Sequence, residues 1–126
     1  MRAKPFIARD AQPVPAAILR VASAQDAAAA VSFVREHDLA MAVRCGGHCS
    51  VGTSSTTGLL IDMSGLATVT VDGTRATVGG GTLLGPLVER LARHGRALPA
   101  GTCPTVGVGG LGSSTPGSAG RSTPRR

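Results

Sequence analysis

The run Arg44-Cys45-Gly46-Gly47-His48-Cys49-Ser50-Val51-Gly52 constrains the fold of this chain more than any other feature. It follows directly on Met41-Ala42-Val43, an apolar stretch with the pattern of a buried strand. Two adjacent glycines end that strand. With no Cβ atoms in the way, the backbone there can turn sharply, approach a ligand closely and aim N–H groups at it. A histidine on such a loop is held where a bound group can reach it. A second glycine-rich run lies further on, Gly101-Thr102-Cys103-Pro104-Thr105-Val106-Gly107-Val108-Gly109-Gly110. Two such loops point to a site built between loops at strand ends rather than to a plain packed core.

The chain has 126 residues, enough for one domain and too few for two. It can bury a modest core, and domains of this size are marginal on their own. Ala, Val, Leu and Gly dominate, as in a soluble globular protein, and no apolar run has the length of a membrane span. Phe6 and Phe33 are the only aromatic residues, so the stacking platforms that bind single-stranded nucleic acid are missing. The formal net charge is +6, but Arg121, Arg125 and Arg126 at the C-terminal end supply part of it and the other arginines are scattered. That distribution gives a weak attraction to anions, not a nucleic-acid footprint. Three cysteines are present, and the polar start from Met1 to Asp10, broken by Pro5, has no secretory character. A reducing cytoplasmic setting without a disulfide framework is the expectation.

Pattern and punctuation predict the elements. Ile18 to Ala22 reads as a strand. Ser23 fits a helix N-cap with Asp26 as its acidic partner, and Ala27, Val31 and Val34 follow at helical spacing to an end at His37-Asp38. Met41 to Arg44 is the next strand, Cys45 to Gly58 a loop, and Leu59 to Met63 a strand apolar enough to be buried on both faces. Ala67 to Val71 and Arg75 to Val78 alternate around Asp72-Gly73, a hairpin signal. Thr82 opens a second helix with Leu84, Leu87, Val88 and Leu91 on one face, an early Pro86, and Gly95 as its C′ stop. His94 belongs to a capping or dipole role in its last turn, and Asp62 to a turn at the end of its strand. Ala97 to Pro99 is a short extended piece. The order implies a small α+β domain with a mixed sheet flanked by helices and ligand loops at the strand ends. From Gly112 to Arg126 only Ala119 is apolar, which predicts a disordered tail.

The segment from Pro15 to Gly110 resembles the N-terminal FAD-binding subdomain of the FAD-linked oxidases. The resemblance is to the vanillyl-alcohol oxidase superfamily with its PCMH-type FAD-binding domain, and within it to the berberine-bridge-enzyme-like branch with bicovalent flavin. Four motifs carry it. They are Pro15-Ala16-Ala17-Ile18 with Val31 to His37, then Val43-Arg44-Cys45-Gly46-Gly47-His48, Gly58-Leu59-Leu60-Ile61-Asp62-Met63, and Leu98 through Gly110. The resemblance implies that His48 bonds to the 8α carbon of the isoalloxazine and Cys103 to its C6. It implies that the backbone of Arg44, Cys45, Gly46, Gly47, His48 and Cys49 cradles the FAD pyrophosphate, and that Thr102, Gly107 and Val108 line the flavin. Intact relatives take a hydride from a small organic substrate and return the electrons to dioxygen, with the substrate base in regions outside this stretch. Where the family carries serine, this chain has Cys49.

The resemblance runs out after Gly109-Gly110, where Leu111-Gly112-Ser113-Ser114-Thr115-Pro116 replaces a further glycine turn and an apolar helix. Residues 1–14 thus read as an N-terminal extension, 15–110 as a partial FAD-binding domain and 111–126 as a tail, with a truncated product inactive alone as the expectation. Two other readings are open on the residues themselves. The loops suit a non-catalytic module for a phosphate or nucleotide. Cys45, His48, Cys49 and Cys103 are also the residue types that bind zinc, although no Cys-x-x-Cys pair is present.

Overall fold

The structure, a computed structural model, describes residues 13–49 and 52–113. Its elements are β1 (Ala17–Arg20), α1 (Ala24–Glu36), β2 (Met41–Arg44), β3 (Leu59–Asp62), a 3-10 turn at Met63–Gly65, β4 (Val69–Asp72), β5 (Arg75–Val78), α2 (Leu84–Ala92) and α3 (Val108–Ser113). The first three strands form a parallel sheet in the order β1-β3-β2, with Ala17 and Met41 both level with Leu59. The middle strand is the apolar one. Leu60 and Ile61 are fully enclosed, as a strand with neighbours on both edges requires.

Helix α1 begins where the sequence says it should. Ser23 Oγ accepts the Asp26 N–H at 3.1 Å while Asp26 Oδ2 accepts those of Ser23 and Ala22, each at 3.0 Å. This reciprocal capping box fixes the turn between β1 and α1. The helix buries Ala30 and Val34, and Ala30 joins Val21 and Ile61 in a first core cluster. Its C-terminal end is closed by His37, whose Nδ1 lies 2.9 Å from the Phe33 carbonyl and whose ring stacks on Phe33.

The expected single mixed sheet is two sheets. Strands β4 and β5 pair only with each other, antiparallel, from Val69↔Val78 to Asp72↔Arg75. The turn falls on Gly73-Thr74, with Gly73 at φ +54°, so Asp72 is the last ladder residue rather than a turn residue. Helix α2 covers this hairpin. Leu84, Leu87 and Leu91 form a second core cluster with Val69, Val71 and Val78 packed against it.

Helix α2 starts at Leu84, after Leu83, and not at Thr82. Thr82 is buried instead, with its hydroxyl toward the Thr68 carbonyl at 3.4 Å. The helix ends in a Schellman arrangement: Gly95 at φ +63° lets the Arg96 N–H reach the Leu91 carbonyl at 2.9 Å. A further difference lies at the expected start of the tail. Residues 111–113 belong to α3, because its first amides are fixed to the preceding chain: Val108 N–H donates to Thr82 at 2.8 Å and Gly109 N–H to Gly80 at 3.0 Å. That anchoring outweighs the poor helix propensity of Gly109-Gly110. The remainder of the tail and most of the N-terminal extension lie outside the described residues.

Candidate functional site

Both glycine loops converge on one cleft, but each is fixed differently. The first leaves the C-terminal end of β2. Arg44 is only 7% exposed, and its guanidinium points inward: Nε and Nη2 donate to the Ser54 carbonyl at 3.1 and 2.9 Å, and Nη2 also bonds Ser55 Oγ at 3.1 Å. The planar fork thus folds the far end of the loop back onto the strand end. Gly47, at φ +74°, takes a left-handed conformation that other residues rarely adopt.

The second loop is held by its main chain. The first N–H groups of a helix lack intrahelical partners. In α2, Leu84 gives its N–H to Val106 at 2.9 Å and Gly85 to Pro104 at 2.8 Å. Pro86, next in line, has no N–H to satisfy. The N-terminus of α2 therefore serves as the mount for the second loop, and an isolated bridge between Leu83 and Gly107 extends it.

The two loops meet backbone on backbone. A Cβ on Gly46 would collide with the Gly107 nitrogen and the Thr105 carbonyl, and a Cβ on Gly107 would collide with Cys45. These glycines are required by the close approach of the loops to each other. Beside this crossing opens a cleft of about 430 Å³, lined by Val43, Cys45, Gly46, Gly47, His48, Cys49, Thr53, Ser54, Val106, Gly107, Gly109, Gly110 and Leu111.

His48 and Cys103 come together through a residue the sequence reading gave no role. His48 Nε2 lies 2.7 Å from Thr105 Oγ1, 57 positions away in sequence, and Cys103 Sγ lies 3.4 Å from the same oxygen. The Thr105 hydroxyl and N–H, bonding to Cys103, hold its thiol below the usual range. The other two cysteines differ from it and from each other. Burial pushes the Cys45 thiol up, partly offset by the Gly110 N–H and reinforced by Asp62. Cys49 Sγ is 3.0 Å from Thr53 Oγ1.

The remaining site candidates are dispersed. Val108 packs into the second core cluster and its N–H is given to Thr82. Thr102 is exposed and does not line the cleft. Ser50 and Val51, part of the first motif, lie outside the described residues. Asp62 and His94 take the structural roles expected of them: Asp62 Oδ1 accepts the Ser64 N–H at 2.9 Å, and His94 Nδ1 lies 3.0 Å from the Arg90 carbonyl. Among the described residues no group of three or more His, Cys, Asp or Glu side chains is placed to hold a metal ion, and no helix is long and apolar enough to cross a membrane.

Residues 15–124 match the family profile described as the FAD binding domain. The chain belongs to that family, the FAD-binding domain of FAD-linked oxidoreductases. The matched region extends past Gly110, where the motif resemblance ended. The chain is 37% identical over 111 residues to the FAD-linked oxidoreductase hasG of Aspergillus fumigatus, covering 86% of this chain and 23% of that protein. It is 35% identical to the (R)-6-hydroxynicotine oxidase of Paenarthrobacter nicotinovorans, covering 81% of this chain and 24% of that one. It thus spans about a quarter of the length of these relatives.

Among solved structures, 6-hydroxy-D-nicotine oxidase from Arthrobacter nicotinovorans matches with a TM-score of 0.78 at 34% identity, over 84% of this chain and 24% of that one. Glucooligosaccharide oxidase from Acremonium strictum, an enzyme with a 6-S-cysteinyl, 8α-N1-histidyl FAD, matches with a TM-score of 0.69 at 36% identity, over 76% of this chain and 21% of that one. The chain has the PCMH-type FAD-binding fold of these neighbours, and its cofactor is FAD.

Proposed function

We propose that this chain is the flavin-anchoring part of an oxidoreductase that takes a hydride from a small organic substrate and passes the electrons to dioxygen, with His48 and Cys103 as the points of covalent attachment. The observation that carries this reading is the convergence on one hydroxyl of the Cys103 thiol and the imidazole of His48, which lines a glycine-rich cleft. When bound, FAD supplies a ring that accepts a hydride. The chain's own residues do the holding. Backbone N–H groups from Arg44 to Cys49 suit a dianionic pyrophosphate, because an amide-lined concavity favours negative charge. Arg44 contributes through its grip on Ser54 and Ser55, which fixes the shape of that loop. Gly107 admits the first loop to the second, Thr102 lies outside the cleft, and Val108 packs into the second core cluster. A reducing, cytoplasmic setting belongs to the same reading.

The test is expression of the full chain in a flavin-replete host, followed by acid precipitation and mass measurement. The expected result is a yellow pellet whose peptides carry FAD at His48 and Cys103, and complete loss of acid-stable flavin in the His48→Ala, Cys103→Ala double variant. Covalent flavin surviving in that variant would overturn the assignment. Equal weak binding of FAD, a simple nucleotide and inorganic phosphate would favour the phosphate module instead.

A further inference from the structure

We infer that Thr105 is a positioning residue whose hydroxyl couples the protonation of His48 to that of Cys103, acting as a one-proton relay between the two attachment side chains. The inference rests on the attachment roles given to those residues above, and it adds Thr105, a residue of the second motif that sequence reading gave no role. Its basis is geometric. Thr105 Oγ1 stands 2.7 Å from His48 Nε2 and 3.4 Å from Cys103 Sγ, so one oxygen serves both. The position of that oxygen is not left to a flexible loop. The Thr105 carbonyl lies against Gly46, two residues before His48, and the chain on either side is tied to α2 by the Pro104 and Val106 carbonyls.

A threonine hydroxyl has one proton to donate and lone pairs to accept with. That arithmetic permits two arrangements. In one, the Cys103 S–H donates to Thr105 and the Thr105 O–H donates to Nε2. In the other, Nε2–H donates to Thr105 and the Thr105 O–H donates to a thiolate. Passing from the first to the second moves the thiol proton to Oγ1 and the hydroxyl proton to Nε2. When Nδ1 keeps its proton, the product is a thiolate and an imidazolium. Charge and protons balance, no electrons move and no co-reactant is needed. The thiolate is the nucleophilic form of cysteine, so the relay prepares Cys103 for bond formation.

Other features of the loop agree. The Thr105 N–H also bonds to the Cys103 sulfur, so both donors that hold the thiol low come from Thr105. Cys45, the nearest comparison, is pushed the opposite way by burial, and the charge of Asp62 acts on Cys45. The second loop thus sets the Cys103 thiol apart from the Cys45 thiol of the first.

The experiment is alkylation of the apo chain with iodoacetamide across a pH series, with peptide mass mapping to read Cys103 apart from Cys45 and Cys49. Thr105→Val should slow Cys103 alkylation at neutral pH by about tenfold and move its profile to higher pH by about one unit, a tenfold change in thiolate fraction per unit. Thr105→Ser, which keeps the hydroxyl, should restore it. His48→Ala should also slow it, because the proton acceptor is gone; an unchanged profile there would reduce Thr105 to a simple hydrogen-bond donor and overturn the relay. An unchanged profile in Thr105→Val would do the same, and if that variant does not fold, His48→Ala decides. In flavin-loaded chains, acid-stable flavin should form more slowly in Thr105→Val by the same factor. A wild-type chain with a coupled Cys103 but no attached flavin would refute the attachment reading and leave the relay standing.

Discussion

The two sides of the cleft are built on separate cores by different means. On one side Val21, Ala30 and Ile61 pack α1 against the parallel sheet, and a side chain, Arg44, shapes the loop that follows. On the other, Leu84, Leu87 and Leu91 pack α2 onto the hairpin, and main-chain bonds to the start of that helix shape the second loop. The halves touch at the cleft through glycine backbones at Gly46 and Gly107 and through the His48–Thr105 bond. The difference teaches that site geometry depends on the junction more directly than on either core. A core can lose a methyl group and keep its loop in place. At Gly46 the junction meets only backbone atoms, which cannot swing aside as a side chain can.

The sharpest way to break that picture is Gly46→Ala. The new Cβ meets fixed backbone rather than a movable side chain end, so a cost at the upper end of overpacking is expected, about 3 kcal/mol. Urea unfolding should show it, and acid-stable flavin should be lost because His48 and Thr105 part. An unchanged midpoint with full flavin would mean the loops are not held where they are described.

Leu87→Ala comes next, at about 3 kcal/mol for a buried leucine. In hydrogen exchange the amides of Leu84, Gly85 and Val108 should open faster while those of β3 stay protected. Combined with Ile61→Val in the other core, its effect should add within about 0.5 kcal/mol, as for distant sites; strong coupling would show one core where the structure has two. Arg44→Lys follows. A point charge cannot reproduce the fork to Ser54 and Ser55, and losing charged hydrogen bonds costs about 2 kcal/mol. Here the expected signature is in the first loop: 45–58 becomes protease-sensitive, and the Cys103 alkylation profile moves toward that of His48→Ala, because His48 rides on that loop.

How much of this was readable beforehand follows the range of the interactions. Strands β2 and β5 fall on the residues that the pattern marks, Met41–Arg44 and Arg75–Val78, because alternation and a nearby turn are local signals. Ser23 and Asp26 announce α1 for the same reason. The start of α2 was missed by two residues because its cap is supplied by Val106 and Pro104, partners far along the chain that no propensity encodes. The division into two sheets is likewise a matter of which strands meet, and local alternation is silent on that. At the site, His48 and Cys103 stand out by residue type and loop context. Thr105 does not, since a threonine between proline and valine carries no chemistry until folding places two side chains on its hydroxyl.

The smallest expected effect tests whether the halves are as separate as the contacts imply. Ser23→Ala removes the side-chain half of the α1 capping box, which typically costs about 1 kcal/mol. Asp26 supplies the other half, and its carboxyl is held below the ordinary range by the Ala22 N–H first and the Ser23 side chain second, with slight burial opposing them. A carboxylate depressed in the folded state stabilises most above its unfolded value, about 3.9, and loses that contribution as pH falls through the lower folded value. Acid unfolding of the wild type should therefore steepen below about pH 4, and Asp26→Asn should flatten that part of the curve. Both variants act just after β1, on the opposite edge of the parallel sheet from β2 and the loop it feeds. Their Cys103 alkylation profiles should overlay the wild type, since Thr105 is mounted on α2 and His48 on the loop after β2 rather than on α1. A shift in Cys103 reactivity from a lost cap on α1 would show that strain in the parallel-sheet half reaches the second loop through His48 and the glycine contact, and the junction would then be a coupling element rather than a meeting point of two independent supports.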